Sequence, residues 1–215
     1  MLKIKVCGMR ETTNILELVA LKPDFVGFIF YDKSPRFVGE ELDEKVLKNF
    51  PKQIKKVGVF VNANIDYILR IVKKYDLGYA QLHGYETPDY CKILKSRGVN
   101  IIKAFSINKD FNFVSLNNYK PHCEYFLFDT KGENIGGNGM VFDWQILQRY
   151  DQEKPFFLSG GISLDNVEEV HQLEEMNMIG IDVNSKFEIK PALKDIEKLQ
   201  ILIESLRPIE QDTEV

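Results

Sequence analysis

Short apolar runs alternate along the chain with longer segments of helical period, and the alternation continues almost to the C-terminus. Eight runs read as strands, at residues 4–6, 25–30, 56–61, 79–82, 100–105, 125–129, 156–159 and 178–183. Helix signals fall at 12–21, 40–49, 64–75, 87–97, 142–148, 164–173 and 191–206. The third of these is typical, with Ile68, Leu69, Ile71 and Val72 recurring on one helical face. Between 106 and 123, Asn, Lys and aromatic residues give no clear period, which predicts a short or irregular fifth helix.

Strand-then-helix repeats in this number, with no Pro/Gly-rich hinge, predict an α/β fold of one domain, a (β/α)8 barrel over 1–207. The acidic stretch 208–215 reads as a frayed tail. A doubly wound open sheet is the competing architecture. It uses fewer strands and places a glycine fingerprint at its first turn, and Val6-Cys7-Gly8-Met9-Arg10 is not one.

Composition narrows the function. The 215 residues are 44% hydrophobic and carry a formal charge of -4, with acids and bases interspersed, so nucleic acid and membrane surfaces are not expected partners. Three cysteines, Cys7, Cys91 and Cys123, are too few for a disulfide framework and lack metal-knuckle spacing. The run 1–6 is charged and without a signal-peptide core, and no stretch approaches about 18 apolar residues. The expectation is a cytoplasmic protein, a monomer or weak homodimer, with a small-molecule partner. No histidines and carboxylates stand at metal-ligand spacing, so no metal is indicated.

A barrel of this kind carries function on the loops after its strands, and polar and glycine residues collect there. Cys7 ends the first strand, Ser34-Pro35-Arg36 lies in the second loop, and His83-Gly84 follows the fourth. Asp129 ends the sixth strand and precedes Gly136-Gly137-Asn138-Gly139; Gly160-Gly161 follow the seventh, and Asp182-Val183-Asn184-Ser185 close the eighth. Glycines after strand seven beside Asn184-Ser185 suggest a phosphate cradle of backbone N–H groups. Each residue also has a plainer reading. Cys7 is read either as a small buried hydrophobe or as a reactive thiol, Asp129 as a turn former or a rim carboxylate, Arg36 as a solvated charge or a carboxylate fork, and His83 as a structural rim residue or a functional one.

Strand parity puts Lys3, Lys5 and Cys7 on one face, and Asp129 on the face of Tyr125 and Leu127. If that face is the interior, Lys5 lies beneath Cys7, where its ammonium is expected to lower the thiol pKa, and it needs a partner, for which Asp182 on the adjacent eighth strand is the candidate.

Seven collinear stretches carry a resemblance: Lys5-Val6-Cys7-Gly8-Met9; Val26-Gly27-Phe28-Ile29-Phe30 with Ser34-Pro35-Arg36; Val57-Gly58-Val59-Phe60-Val61-Asn62; Gln81-Leu82-His83-Gly84; Gly136-Gly137-Asn138-Gly139 before Phe142-Asp143-Trp144; Leu158-Ser159-Gly160-Gly161; and Asp182-Val183-Asn184-Ser185. In order and over nearly the whole chain, they resemble the phosphoribosylanthranilate isomerase family of tryptophan biosynthesis. The resemblance implies a cofactor-free Amadori rearrangement with Cys7 as general base and Asp129 as general acid. It implies Arg36 as the clamp on a substrate carboxylate and Gly160, Gly161, Asn184 and Ser185 as the phosphate cradle, with His83, Gly137 and Asp182 also facing substrate. Two departures stand out. Lys186 replaces a family glycine, removing tolerance for positive φ, and Lys190-Pro191-Ala192 replaces the usual Pro-Gly, which bears on where the last helix starts. The alternatives are another phosphosugar isomerase on the same barrel and a non-catalytic barrel that binds a phosphate ligand.

Overall fold

In a computed structural model describing residues 1–39, 42–130, 144–173 and 175–207, the eight apolar runs pair side by side, each parallel to the next, and the last returns to the first. The strands are Lys3–Cys7 (β1), Phe25–Ile29 (β2), Lys55–Phe60 (β3), Tyr79–Leu82 (β4), Ile101–Ser106 (β5), Tyr125–Asp129 (β6), Phe156–Ser159 (β7) and Met178–Val183 (β8). Closure comes from Lys3, Ile4, Lys5 and Val6 pairing with Gly180, Ile181, Asp182 and Val183. The predicted (β/α)8 barrel is therefore the observed fold, and its predicted strands match to within a residue at either end.

Parity sorts the side chains into two cores. Phe25, Val57, Ile102, Ala104, Leu127 and Phe157 fill the interior, while Ile4, Val6, Phe28, Phe60, Phe126 and Phe128 face outward against the helical layer. Both faces of each strand are covered, which is why the strands read as nearly continuous apolar runs. Phe25 packs its ring edge-on against Tyr125 and Phe157 and tilted against Tyr79, near the N-terminal ends of the strands. That aromatic floor leaves polar side chains to the opposite end.

Among the described residues five α-helices return the chain between early strands or seal the end: Thr12–Ala20 (α1), Glu44–Lys48 (α2), Ile65–Tyr75 (α3) and Pro88–Ser96 (α4), with Ile196–Leu206 (α5) last. Side-chain caps set several starts. Asn64 accepts from the Asp66 N–H, Thr87 from that of Tyr90 ahead of Pro88, and Asp195 from that of Lys198. Asp76 closes α3 in the left-handed conformation at φ 49°.

Other helical expectations are corrected. The segment predicted at 40–49 is helical only over Glu44–Lys48, where Asp43 caps it, and residues 40 and 41 lie outside the described residues. The stretch after β5 is irregular as its lack of period predicts, forming two 3₁₀ turns, Phe113–Asn118 and Lys120–His122. Of the helices expected at 142–148 and 164–173, the described parts are 3₁₀ segments, Trp144–Arg149 and Val167–Leu173, with 142 and 143 outside the described residues.

The predicted last helix, 191–206, begins only at Ile196. Ahead of it Glu188–Lys190 (β9) and Leu193–Lys194 (β10) form an antiparallel hairpin. Its turn puts Pro191 before Ala192 at φ 68°, a left-handed position that suits glycine better. Lys186, by contrast, is not at positive φ, so the loop after β8 makes no demand there that a lysine fails to meet. Gly136 to Gly139, including Gly137, lie outside the described residues, as does the tail 208–215.

Candidate active site

Register carries a row of polar side chains along the C-terminal rim. Asp129 on β6 is level with Ser159 on β7, Ser159 with Asp182 on β8, and Asp182 with Lys5 on β1. Neighbours level in a parallel sheet project to the same face, so all four turn inward.

Lys5 Nζ lies 2.8 Å from Asp182 Oδ1, and the pair is buried, with side chains 0% and 6% exposed. This is the partnership that parity predicted. Burial works against the ammonium, but Asp182, and then Cys7, outweigh it and hold Lys5 above the usual lysine pKa.

Cys7 occupies the end of β1 against Gly27 of β2, with which it is in register. A Cβ at Gly27 would stand 2.8 Å from Cys7 Sγ, so a glycine there makes room for the thiol. Burial pushes the Cys7 pKa up, while Lys5 and Lys194 pull it down by less. The expectation of a thiol lowered by its neighbouring ammonium is therefore overturned: desolvation of the thiolate outweighs the attraction of Lys5.

At the end of β6, Asp129 faces His83, whose Nε2 lies 3.4 Å from Asp129 Oδ2. Gln81 Nε2 lies 3.0 Å from His83 Nδ1. An amide nitrogen only donates, so Nδ1 accepts, and the neutral ring carries its proton on Nε2, toward Asp129. The loop bearing His83 is fixed by Glu86, which accepts from the N–H groups of Asn62 and Gly84 and lies 3.2 Å from Lys103 Nζ.

Arg36 reaches the rim from the loop after β2. Its Nε and Nη2 donate to the Glu188 carboxylate at 2.9 and 2.6 Å. Glu188 also takes Lys194 Nζ at 2.6 Å, and Lys194 Nζ donates to Asn184 Oδ1 at 2.7 Å. Burial alone would raise Glu188, but Arg36 and Lys194 hold its pKa below the carboxylate range, whereas burial dominates at Lys194 and lowers it. Arg36 lies across Gly8, where φ is 83° and a Cβ would meet Arg36 Cδ and Asn184 Oδ1 at 2.8 Å each.

Gly160 and Gly161, at φ 100° and 71°, turn the chain after β7, and no heavy atom lies within 4 Å of a Cβ placed on Gly161. Across β8 from them, Ser185 begins a single 3₁₀ turn, Ser185–Phe187, anchored by buried Phe187. The backbone of this end is open to an approaching anion. Among the described residues no group of three or more His, Cys, Asp or Glu is placed to hold a metal. Cys91 and Cys123 are buried away from the rim.

Sequence reasoning did not single out Gly8, Gly27, Gln81, Glu188 or Lys194 as site residues. The two glycines lay inside recognised stretches, and Gln81 stands two residues before His83 on the same strand face. Glu188 and Lys194 depend on partners that the hairpin brings to them.

A closed barrel that gathers ionisable side chains at the C-terminal ends of its strands is the architecture of a (β/α)8-barrel enzyme. The sequence profile described as N-(5'phosphoribosyl)anthranilate (PRA) isomerase matches residues 4–205. The chain belongs to that family, which is an isomerase family of tryptophan biosynthesis. An N-(5'-phosphoribosyl)anthranilate isomerase of Parabacteroides distasonis is 46% identical over 204 residues, covering 94% of this chain and 92% of the relative. The crystal structure of the phosphoribosyl anthranilate isomerase from Thermotoga maritima superposes with a TM-score of 0.82 at 30% identity, covering 97% of this chain and 100% of that one. A phosphoribosyl anthranilate isomerase solved in complex with reduced 1-(o-carboxyphenylamino)-1-deoxyribulose 5-phosphate superposes with a TM-score of 0.79 at 27% identity, with coverage of 97% and 100%. Family membership sets aside the other phosphosugar isomerases and the non-catalytic barrel.

Proposed function

We propose that Asp129 and Cys7 divide the proton transfers that turn N-(5'-phosphoribosyl)anthranilate into 1-(2-carboxyphenylamino)-1-deoxyribulose 5-phosphate. The observation that carries this reading is their placement: a thiol and a carboxylate at the C-terminal ends of β1 and β6, three strands apart on the closed barrel. Asp129, in its protonated form, gives a proton to the ribose ring oxygen as the nitrogen lone pair opens the ring to an iminium at C1 conjugated with the aryl ring. The iminium acidifies the C2–H, and Cys7 as thiolate takes that proton to leave the neutral enolamine. The enolamine loses its C2 hydroxyl proton and gains one at C1, giving the ketone. Exchange with solvent returns Cys7 to thiolate and Asp129 to acid, so the turnover needs no cofactor.

Binding follows the remaining side chains. Arg36 takes the anthranilate carboxylate, and the backbone around Gly160, Gly161, Asn184 and Ser185 takes the phosphate. Lys5 favours the Cys7 thiolate and is itself offset by Asp182, and His83 orients the Asp129 carboxylate. All of these residues come from one chain, so a monomer suffices for the chemistry.

The test generates the substrate in situ and follows the loss of its anthranilate-type fluorescence with wild type, Cys7→Ser and Asp129→Asn, subtracting decay in buffer. Turnover by wild type with loss of most of the rate in both folded variants is expected. An inert wild type overturns the reading, and full activity in either variant overturns that residue's role.

A further inference from the structure

We propose that Glu188 is a positioning residue that aims Arg36 at the substrate's carboxylate, and that Lys194 holds Glu188 in place for that purpose. The inference rests on the reading of Arg36 given above and deepens it.

A guanidinium offers two edges to a planar acid, Nε with Nη2 and Nη1 with Nη2. Glu188 occupies the first, with Nε 2.9 and 3.0 Å from its two oxygens and Nη2 at 2.6 Å. Among the described residues Nη1 has no partner, so the second edge is available to a ligand. Arg36 is 20% exposed where Glu188 is 4% exposed, which places the paired edge inside and the free one at the rim. The Arg36 stem passes within contact of the chain at Gly8, the residue after Cys7, so an anion on the free edge stands close to the proposed base.

Glu188 is itself fixed. Besides Arg36 it accepts from Lys194 Nζ at 2.6 Å and from the Ala192 N–H at 3.2 Å. The Lys194 backbone is clamped in both directions by Asn14 of α1, at 2.7 and 3.0 Å. An isolated ion pair tying down the hairpin would need one cation for one carboxylate. Two cations on one buried carboxylate leave a surplus positive charge, and Lys194, 0% exposed, cannot present it to a ligand. Arg36 can. The arrangement therefore holds a positive edge, already oriented, where an incoming carboxylate completes the neutralisation.

Calorimetric titration with two ligands tests this: reduced 1-(o-carboxyphenylamino)-1-deoxyribulose 5-phosphate and its phenylamino counterpart lacking the carboxylate. Glu188→Gln is expected to weaken the first about tenfold or more and leave the second unchanged, with KM for substrate rising more than kcat falls. Glu188→Asp, which keeps the charge, is expected to fold as wild type and show a smaller loss with the same selectivity. Equal weakening of both ligands by either variant means a general structural role and overturns the proposal. If wild type binds both ligands equally, Arg36 does not read a carboxylate and the proposal falls while the isomerase reading stands. If wild type binds neither, the functional reading fails first.

Discussion

His83 and Asp129 face each other across the rim at 3.4 Å, and the Gln81 amide behind the imidazole leaves the neutral ring's proton on the side of the carboxylate. His83 thus turns an N–H toward Asp129 without contesting the proposed role of Asp129 as the acid. Asp129→Asn keeps an oxygen that can face that N–H and removes the transferable proton, so kcat is expected to fall by about 10²–10⁴. His83→Ala removes only the orienting contact, and its loss in kcat is expected to be smaller. Steady-state fluorescence assays of the two variants check the order; a greater loss at His83 would make the imidazole the acid.

A base that burial holds in its neutral form acts only once it ionises. Because the Cys7 pKa is raised, kcat/KM is expected to climb as pH passes through and beyond the ordinary thiol value of about 8.5. Rates measured from pH 6 to 10 give the limb, and Cys7→Ser abolishes it along with most of the rate. A plateau reached below pH 8 would mean that the unliganded enzyme already holds a thiolate.

Lys5→Met leaves Asp182 buried without its cation and is expected to cost about 3–5 kcal/mol of stability. Lys5→Met with Asp182→Leu removes both charges and should recover much of that loss. Urea denaturation of the single and double variants gives the comparison, and the double variant separates the pair's structural role from any effect of Lys5 on Cys7.

Ala192 stands at φ 68° in the turn between β9 and β10. Glycine relieves the crowding of its Cβ, offset by a freer unfolded chain and by the loss of a buried methyl, so Ala192→Gly is expected to change stability by less than about 1 kcal/mol. Thermal melts of the two proteins measure it.

Hydrophobic periodicity made the barrel legible because strands covered on both faces leave a strong apolar signal at every turn of the fold. Parity then assigned Lys5, Cys7 and Asp129 inward, and adjacency of the first and last strands paired Lys5 with Asp182. What stayed hidden depended on distance and desolvation. Arg36 and Glu188 are 152 residues apart and meet through a hairpin of five ladder residues, too short to register as strands. The direction of the Cys7 shift turned on the balance between burial and a nearby ammonium, and a sequence supplies the second but not the first.

Closure of the barrel through β1 and β8 joins its first-made strand to its last. A ribosome delivers Lys5 and Cys7 first, and Asp182 follows 177 residues after Lys5, with Asn184, Glu188 and Lys194 later still. Throughout that interval the nascent chain carries a lysine bound for a dry interior with no counter-ion to receive it, and an arginine whose partner carboxylate, Glu188, has not been made. Sealing the cylinder and assembling its rim are one event, so a partly synthesised chain holds the proposed base, Cys7, and the neighbouring Lys5 in a scaffold that has yet to exclude water.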